Sequence, residues 1–307
     1  MERQCNLIID SCCDLPANVV NCEGVRLVPY PYFFGDEELR DDLWQSASAH
    51  DFYERMRKGE TPTTAQVPIR ALEEAFLTSI EEGMPAVYLC LSSALSGSYN
   101  TAQLVRDRLM EAHPDAELYV VDTLLASSGE GLLVYEALRQ LERGLTAREL
   151  TEWAEEARNF AHIYFMVDDL DALKRGGRIP SSVAFAGSKL DVKPILHMPA
   201  DGTLAMKGIA RGRKKGLKQL ASLFAERGDK AASQYVVAGS SECSEDVQRL
   251  SDLICKDGFE PLLIEGIVGP VIGSHVGPGM VELAFWGPDR REDVSVADRI
   301  ARKVKGE

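Results

Sequence analysis

The stretch PAVYLCLSSALSGSYNTAQLVRDRLMEA (residues 85–112) joins a short apolar run to a segment of helical periodicity through a turn rich in serine and glycine. Apolar runs of this length are typical of buried strands, and the segment after the turn has the spacing of a helix. Similar strand and helix patterns alternate along the chain, which predicts βαβ units around a mostly parallel sheet. The serine turn is then expected at the carboxyl edge of that sheet, where α/β folds bind ligands.

The length of 307 residues exceeds that of a usual single core and predicts two α/β domains. Two helical segments in tandem, residues 126–144 and 146–160, indicate the junction, so we predict domains 1–158 and 159–307. The hairpin pattern of residues 193–208, turned at Asp201-Gly202, predicts antiparallel pairing and a mixed sheet in the second domain. The periodicity of RREDVSVADRIARKVKGE (residues 290–307) predicts a helical tail at the C-terminus.

The composition excludes several classes of protein. Lys and Arg number 34 against 48 Asp and Glu, and this net charge of −14 argues against binding to nucleic acids or anionic membranes. No apolar run is long enough to insert stably into a membrane, and the N-terminus has no signal-peptide pattern, so a cytoplasmic protein is expected. The seven cysteines have no C-x-x-C spacing, which indicates neither a disulfide framework nor a metal site.

Four segments rich in small polar residues are candidates for a binding site. They are DSCCDLP (residues 10–16), TPTTAQVP (61–68), LSSALSG (91–97) and VDTLLASSGEG (121–131). Each one alone is explained by turn chemistry and helix capping, but together they predict an anion site built from hydroxyl and backbone N–H groups. These loops contain no lysine or arginine, and the chain has no phosphate-binding glycine motif, which favours a single carboxylate over a polyphosphate.

A histidine and a serine in these glycine-rich surroundings leave an enzymatic alternative open. His275 lies in VGPVIGSHVGPGM (residues 268–280), whose glycines and prolines predict a loop that turns tightly around a ligand. Ser96 with His275 would give a serine acyl hydrolase or acyltransferase, although the G-x-S-x-G elbow of such enzymes is absent. The adjacent Cys12 and Cys13 allow a third hypothesis, a redox-responsive binding protein.

Two basic segments stand out in this acidic chain, KRGGRIP (residues 174–180) and KGIARGRKKGLK (207–218). Favourable charges at a helix end or a solvated helix face explain them most simply. The alternative is a docking surface for an acidic partner or for the ATP phosphates that such a partner carries. The candidate docking residues are Arg175, Arg178, Arg211, Arg213, Lys214 and Lys215.

Eight motifs in sequence order resemble those of the DegV-like family, the fatty-acid-binding subunits of bacterial fatty acid kinase. They are IIDSCCDLP, PTTAQVP, LSSALSGSYNTA, VVDTLLASSGEG, KRGGRI, GSKLDVKPIL, RGRKK and GPVIGSHVGPG. The resemblance implies a three-layer, mostly parallel α/β domain followed by a smaller mixed-sheet α/β domain. It also implies a buried long-chain fatty acid, no cofactor, no catalytic residues of the chain's own, and a partner ATP-dependent kinase that forms an acyl phosphate.

The resemblance assigns ligand-binding roles to residues of this chain. Thr64 and Ser96 would hold the carboxylate, with Gly97 opening the following helix, and His275 would lie near the carboxylate with Ser274 beside it. The chain departs from the family pattern in two loops, through Ala65 and Val67 in the first and Cys12 and Cys13 in the second. These departures put secondary contacts to the carboxylate in question and leave the principal donors in place.

Overall fold

The structure is a computed structural model that describes residues 3–179, 191–255 and 259–292. Its strands in chain order are β1 (Asn6–Asp10), β2 (Val25–Val28), β3 (Pro31–Phe34), β4 (Glu37–Arg40), β5 (Thr63–Thr64), β6 (Ala86–Cys90), β7 (Leu118–Asp122), β8 (Ala161–Met166), β9 (Val192–His197), β10 (Ala205–Arg211), β11 (Tyr235–Ser240), β12 (Leu262–Ile267) and β13 (Val281–Trp286).

The helices carry the apolar periodicity of the sequence. They are α1 (Ala17–Val20), α2 (Ala49–Arg57), α3 (Ile69–Glu81), α4 (Ser98–Ala112), α5 (Ser128–Glu142), α6 (Ala147–Ala157), α7 (Asp171–Arg175), α8 (Arg213–Arg227), α9 (Ser244–Ile254) and α10 (Pro270–Val276). Thr146 begins α6 with a complete capping box, because its hydroxyl accepts from the Glu149 N–H and the Glu149 carboxylate accepts in return.

The first sheet is parallel throughout, in the order β2-β1-β6-β7, as the alternating pattern predicts. All residues of β1 and β6 are buried, because strands flank them on both edges and the two faces of a parallel sheet are covered by other elements. The three segments that follow β1, β6 and β7 therefore begin at the same edge of the sheet. They are three of the four hydroxyl-rich loops of the sequence.

The apolar pattern of VRLVPYPYFF (residues 25–34) predicts one strand, and the structure shows that this prediction is wrong. It forms β2 in the parallel sheet and β3 in a separate antiparallel sheet of order β4-β3-β5. Pro29 and Pro31 cause the break, because proline has no N–H for a strand ladder and restricts the residue before it. The second sheet places Thr64, in the short strand β5, beside Tyr32 of β3.

The second half forms a mixed sheet in the order β10-β9-β8-β13-β11-β12. The predicted hairpin is present as the antiparallel pair β9-β10, and only β11 and β12 are parallel. The second domain is expected to be the smaller one, but its sheet has six strands and the parallel sheet has four. More strands fit into the second half because antiparallel neighbours need only short connections, whereas each parallel pair needs a long crossover.

Helix α5 connects the two halves. It belongs to the predicted domain 1–158 but contacts β8, β11 and β13 of the mixed sheet. Two glycines near its start permit close packing: a Cβ at Gly129 would lie 3.0 Å from Cγ2 of Ile163, and one at Gly131 would lie 2.5 Å from the Cys13 carbonyl oxygen. One buried apolar cluster consequently contains residues of both halves, while the division at residue 158 stays a prediction.

Two expectations cannot be compared with the structure. The predicted helical tail after residue 292 and residues 187–190 of the GSKLDVKPIL motif lie outside the described residues. Within residues 3–179, 191–255 and 259–292, no helix is both long and apolar enough to cross a bilayer.

The capping box predicts the effect of one substitution on stability. Thr146→Ala should lower the free energy of unfolding by about 1 kcal/mol, because the Glu149 N–H loses its acceptor. Urea denaturation monitored by circular dichroism measures this. Thr151→Ala in the same helix is the control, because the Thr151 hydroxyl only bonds back to the Ala147 carbonyl. An equal loss in both variants would contradict the role of the capping box.

Candidate functional site

A cavity lies where the loops of the parallel sheet meet the mixed sheet. Its lining is mainly apolar and includes Leu91, Leu95, Ile163, Phe165 and Met198. Seven of its lining residues have side chains with hydrogen-bonding or charged groups: Tyr30, Thr64, Ser96, Ser127, Arg178, His275 and Glu282. The structure thus brings together three of the residues predicted to bind the ligand.

His275 lies on a helix, which corrects the expectation of a loop through residues 268–280. Gly269 is the extended residue before α10, Pro270 occupies the first turn, and Gly277 ends the helix with a φ of 78°. A proline fits the first turn because no intrahelical N–H is needed there, and a positive φ favours glycine. The short helix directs Nε2 of His275 to Oγ1 of Thr64, at 2.8 Å.

The environment of His275 keeps its ring neutral. Burial and the positive charge of Arg178 lower the pKa of His275 from 6.5 to about 4. Its Nδ1 is buried without a hydrogen-bond partner among the described residues, and a Cβ at Gly176 would lie 2.1 Å from this atom. A tautomer with the proton on Nε2 avoids a buried N–H without an acceptor. Nε2–H then donates to Thr64, whose hydroxyl proton is free for a ligand.

Ser96 lies at the end of a second series of hydrogen bonds. The Val67 N–H donates to Oγ of Ser98 at 3.0 Å, and Oγ of Ser98 lies 3.0 Å from Oγ of Ser96. The Ser98 N–H also approaches Oγ of Ser96, at 3.3 Å. When Ser98 donates its proton to Ser96, the hydroxyl proton of Ser96 is left for the cavity, as it is in Thr64.

Gly97 has a steric role. It is the N-cap of α4 with an ordinary φ of −74°, and a Cβ at this position would lie 2.6 Å from Oε1 of Gln66. Gly97 therefore leaves room for the loop that carries Thr64 to approach the loop that carries Ser96. Gln66 was not predicted as a site residue, and its spacing in the sequence gave no signal for this contact.

Arg178 is a cavity residue, although the sequence suggested only partner docking for it. Its Nε donates to the Leu95 carbonyl at 3.2 Å and its Nη1 to the Gly176 carbonyl at 2.6 Å. The guanidinium thereby joins the KRGGRIP segment to the serine loop of the first half. The four hydroxyl-rich loops indeed contain no cation, but the fold supplies one from a distant part of the chain.

Asp10 holds the serine loop in position. Its carboxylate accepts from the N–H groups of Leu91 and Cys12, both at 2.9 Å, and from the Tyr88 hydroxyl at 3.1 Å. Burial raises the pKa of Asp10 to about 6. The neighbouring Cys12 and Cys13 are fully buried, and burial raises the pKa of both thiols. Such thiols are inert, which argues against the redox-responsive hypothesis.

Several predicted site residues lie away from the cavity. The Ser274 hydroxyl donates to the Pro270 carbonyl at 2.6 Å, within its own helix. Arg213 pairs with Asp168 and Asp246 and donates to the Gly279 carbonyl at 2.8 Å, so it holds the loop after α10. The other candidate docking residues are exposed: Arg175, Arg211, Lys214 and Lys215.

The geometry does not assemble a serine nucleophile. Nε2 of His275 contacts Thr64, whereas the Ser96 hydroxyl contacts Ser98. No carboxylate of the described residues orients the histidine through Nδ1, as the third member of a catalytic triad does. The arrangement offers hydroxyl donors and a guanidinium to an anion and lacks an activated base.

Glu282, Ser127 and Tyr30 are lining residues that the sequence reasoning missed. Glu282 did leave a signal, because it is the one acidic residue in the strand VELAFW, which is buried throughout. Ser127 lies in the candidate loop of residues 121–131 but was not singled out there, and Tyr30 resembles an ordinary core residue in sequence.

Comparison with known proteins identifies relatives over nearly the whole chain. A family model described as "Uncharacterised protein, DegV family" matches residues 4–286. A DegV domain-containing protein of Clostridium perfringens is 37% identical over 282 residues, which are 92% of this chain and 97% of that protein.

Solved structures share the fold. A DegV family protein of Thermus thermophilus, described by its fatty acid binding, has a TM-score of 0.81 and 28% identity over 94% of this chain and 100% of that one. The fatty acid kinase B3 protein of Streptococcus pneumoniae, solved with linoleic acid, has a TM-score of 0.79 and 22% identity over 92% and 99% of the two chains.

The buried histidine predicts a measurable titration. In ligand-free protein, ¹⁵N NMR should find His275 neutral at pH 5, with a midpoint near 4. Because the unfolded chain takes up a proton at higher pH than the folded chain, this histidine makes the fold less stable as the pH falls below 6.5. His50 is the internal comparison, because its hydrogen bond to Glu242 raises its pKa. A midpoint for His275 at or above 6.5 would contradict the described burial.

Proposed function

This chain belongs to the DegV family, and from that membership and the cavity we propose that it binds a long-chain fatty acid. The acyl chain occupies the apolar cavity, and the carboxylate accepts hydrogen bonds from Thr64 and Ser96 beside Arg178 and His275. The observation that carries the proposal is the pair of hydroxyls in the lining of an apolar cavity, each beside a group that can donate to it: Nε2 of His275 beside Thr64, and Ser98 beside Ser96. The fatty acid binding described for the Thermus thermophilus relative supports it.

The energetics assign different tasks to the two ends of the ligand. Burial of each methylene contributes about 0.8 kcal/mol, so roughly ten methylenes contribute about 8 kcal/mol. A hydrogen bond to a charged carboxylate contributes about 1.5–3 kcal/mol. The tail therefore supplies most of the affinity, and the hydroxyls fix the orientation and prevent an unpaired buried charge.

We propose further that the protein presents this carboxylate to a partner ATP-dependent kinase in the cytoplasm, which forms the acyl phosphate. The sequence has no phosphate-binding glycine motif, so the nucleotide would be bound by the partner. The exposed Arg211, Lys214 and Lys215 favour an acidic partner surface or its bound nucleotide. Arg213 is excluded from this role because Asp168 and Asp246 already pair with it.

Two hydroxyl deletions test the carboxylate site. Ser96→Ala and Thr64→Val should each weaken the binding of oleic acid about tenfold or more, because a charged hydrogen bond is lost. Equilibrium binding of radiolabelled oleic acid to delipidated protein measures this. Ser93→Ala and Thr63→Val are matched controls, because these neighbours do not line the cavity. Equal effects at the controls, or no effect at Ser96 and Thr64, would refute the assignment.

Charge reversal tests the docking surface. The double variant Lys214→Glu, Lys215→Glu should slow association with the kinase subunit of the same organism about tenfold or more at low ionic strength, and oleic acid binding should be unchanged. Surface plasmon resonance at two salt concentrations measures the effect. Arg70→Glu and Arg148→Glu serve as controls, because they reverse exposed charges on α3 and α6. Association as fast as that of the wild type would remove these lysines from the interface.

A further inference from the structure

Glu282 is a buried acid in the wall of the cavity. It lies in β13, opposite Gly239 of β11, and its side chain is fully buried. A Cβ at Gly239 would lie 2.6 Å from Oε1 of Glu282, so the glycine leaves the space that the carboxyl group occupies. An acid inside a buried strand is costly unless both of its oxygens have partners.

The two oxygens of Glu282 differ in their surroundings. Oε1 accepts from the Ser127 hydroxyl at 2.7 Å, from the Ser128 hydroxyl at 2.5 Å and from the Ser128 N–H at 3.2 Å. Oε2 is buried and has no hydrogen-bond partner among the described residues. Glu282 lines the cavity, and Oε2 is its one oxygen without a partner among the described residues.

A count of protons limits the state of these groups. The Ser127 hydroxyl has one proton and lies within hydrogen-bond distance of both Asp14 and Glu282. For both contacts to be hydrogen bonds, one of the two carboxyl groups must itself hold a proton, and burial raises the pKa of both. In either arrangement Oε2 of Glu282 has no partner among the described residues.

We propose that the cavity is built for an acyl chain that carries a hydroxyl group along its length, and that this hydroxyl bonds to Oε2 of Glu282. The inference rests on the proposed function, since it names the class of fatty acid that the same cavity takes. An unsubstituted chain would bury Oε2 against methylenes and leave it unpaired. A hydroxyl can donate to a carboxylate or accept from a protonated carboxyl group, so it fits either state of Glu282.

Charge determines which end of the ligand faces Glu282. The carboxylate of a fatty acid is attracted by Arg178 and by the hydroxyls of Thr64 and Ser96, and it is repelled by an acid. A hydroxyl is neutral, so the charge of Glu282 does not repel it. The ligand therefore lies with its carboxylate at Arg178 and its hydroxyl at Glu282. The separation of these two residues determines which carbon of the acyl chain must carry the hydroxyl.

A panel of ligands tests this inference with unmodified protein. Stearic acid is compared with a series of monohydroxystearic acids that differ in the position of the hydroxyl, by competition against radiolabelled oleic acid. One position should bind about tenfold more tightly than stearic acid, because one additional buried hydrogen bond forms. The other positions should bind less tightly than stearic acid, since their hydroxyls are buried without a partner.

Substitution of Glu282 provides the second arm. Glu282→Leu should abolish the preference for the hydroxylated chain and retain binding of stearic acid. Glu282→Gln should retain the preference, and its amide should also accommodate an oxo group at the same position of the chain. Glu265→Gln changes an exposed glutamate on β12 of the same sheet; it is the control and should leave all affinities unchanged.

The outcomes separate the two proposals. Binding of stearic acid with no preference for any hydroxylated isomer would overturn this inference alone, and would indicate that water satisfies Oε2. Absence of binding by every fatty acid in the panel would overturn the proposed function and this inference with it.

Discussion

A carboxylate inside an apolar cavity must receive hydrogen bonds from groups that still have a proton to give, and this constraint governs the site. In the proposed site Thr64 and Ser96 meet it when each accepts a hydrogen bond from the side away from the ligand, Thr64 from Nε2–H of His275 and Ser96 from Ser98. The surrounding structure positions these donors. Asp10 holds the serine loop, and Gly176 leaves space for the histidine ring.

The neutral state of His275 is part of the same arrangement. A charged imidazolium would be expensive to bury beside Arg178, whereas the neutral ring donates from Nε2 and needs no acid behind it. This distinguishes the site from a catalytic triad, in which a carboxylate orients the histidine as a base. In the proposed site the same residue types would serve binding, because the histidine supports a hydrogen-bond donor.

Much of the fold and part of the site follow from local patterns. The parallel sheet, the hairpin β9-β10 and the capping box of α6 are set by residues close in sequence, and the hydroxyl loops meet because parallel strands end at one edge. Arg178 and Glu282 could not be placed, because they reach the cavity through long-range packing. Pro29 and Pro31 separate β2 from β3, and Pro270 begins α10. The predictions of one strand over residues 25–34 and of a loop over residues 268–280 gave these prolines too little weight.

The central claim is that this cavity holds a fatty acid by its carboxylate. Denaturing extraction of the purified protein followed by mass spectrometry of the lipid fraction tests it most directly. The account predicts a long-chain fatty acid in a near-stoichiometric amount, reduced in Ser96→Ala. Protein that is repeatedly recovered empty and takes up no added fatty acid would contradict it.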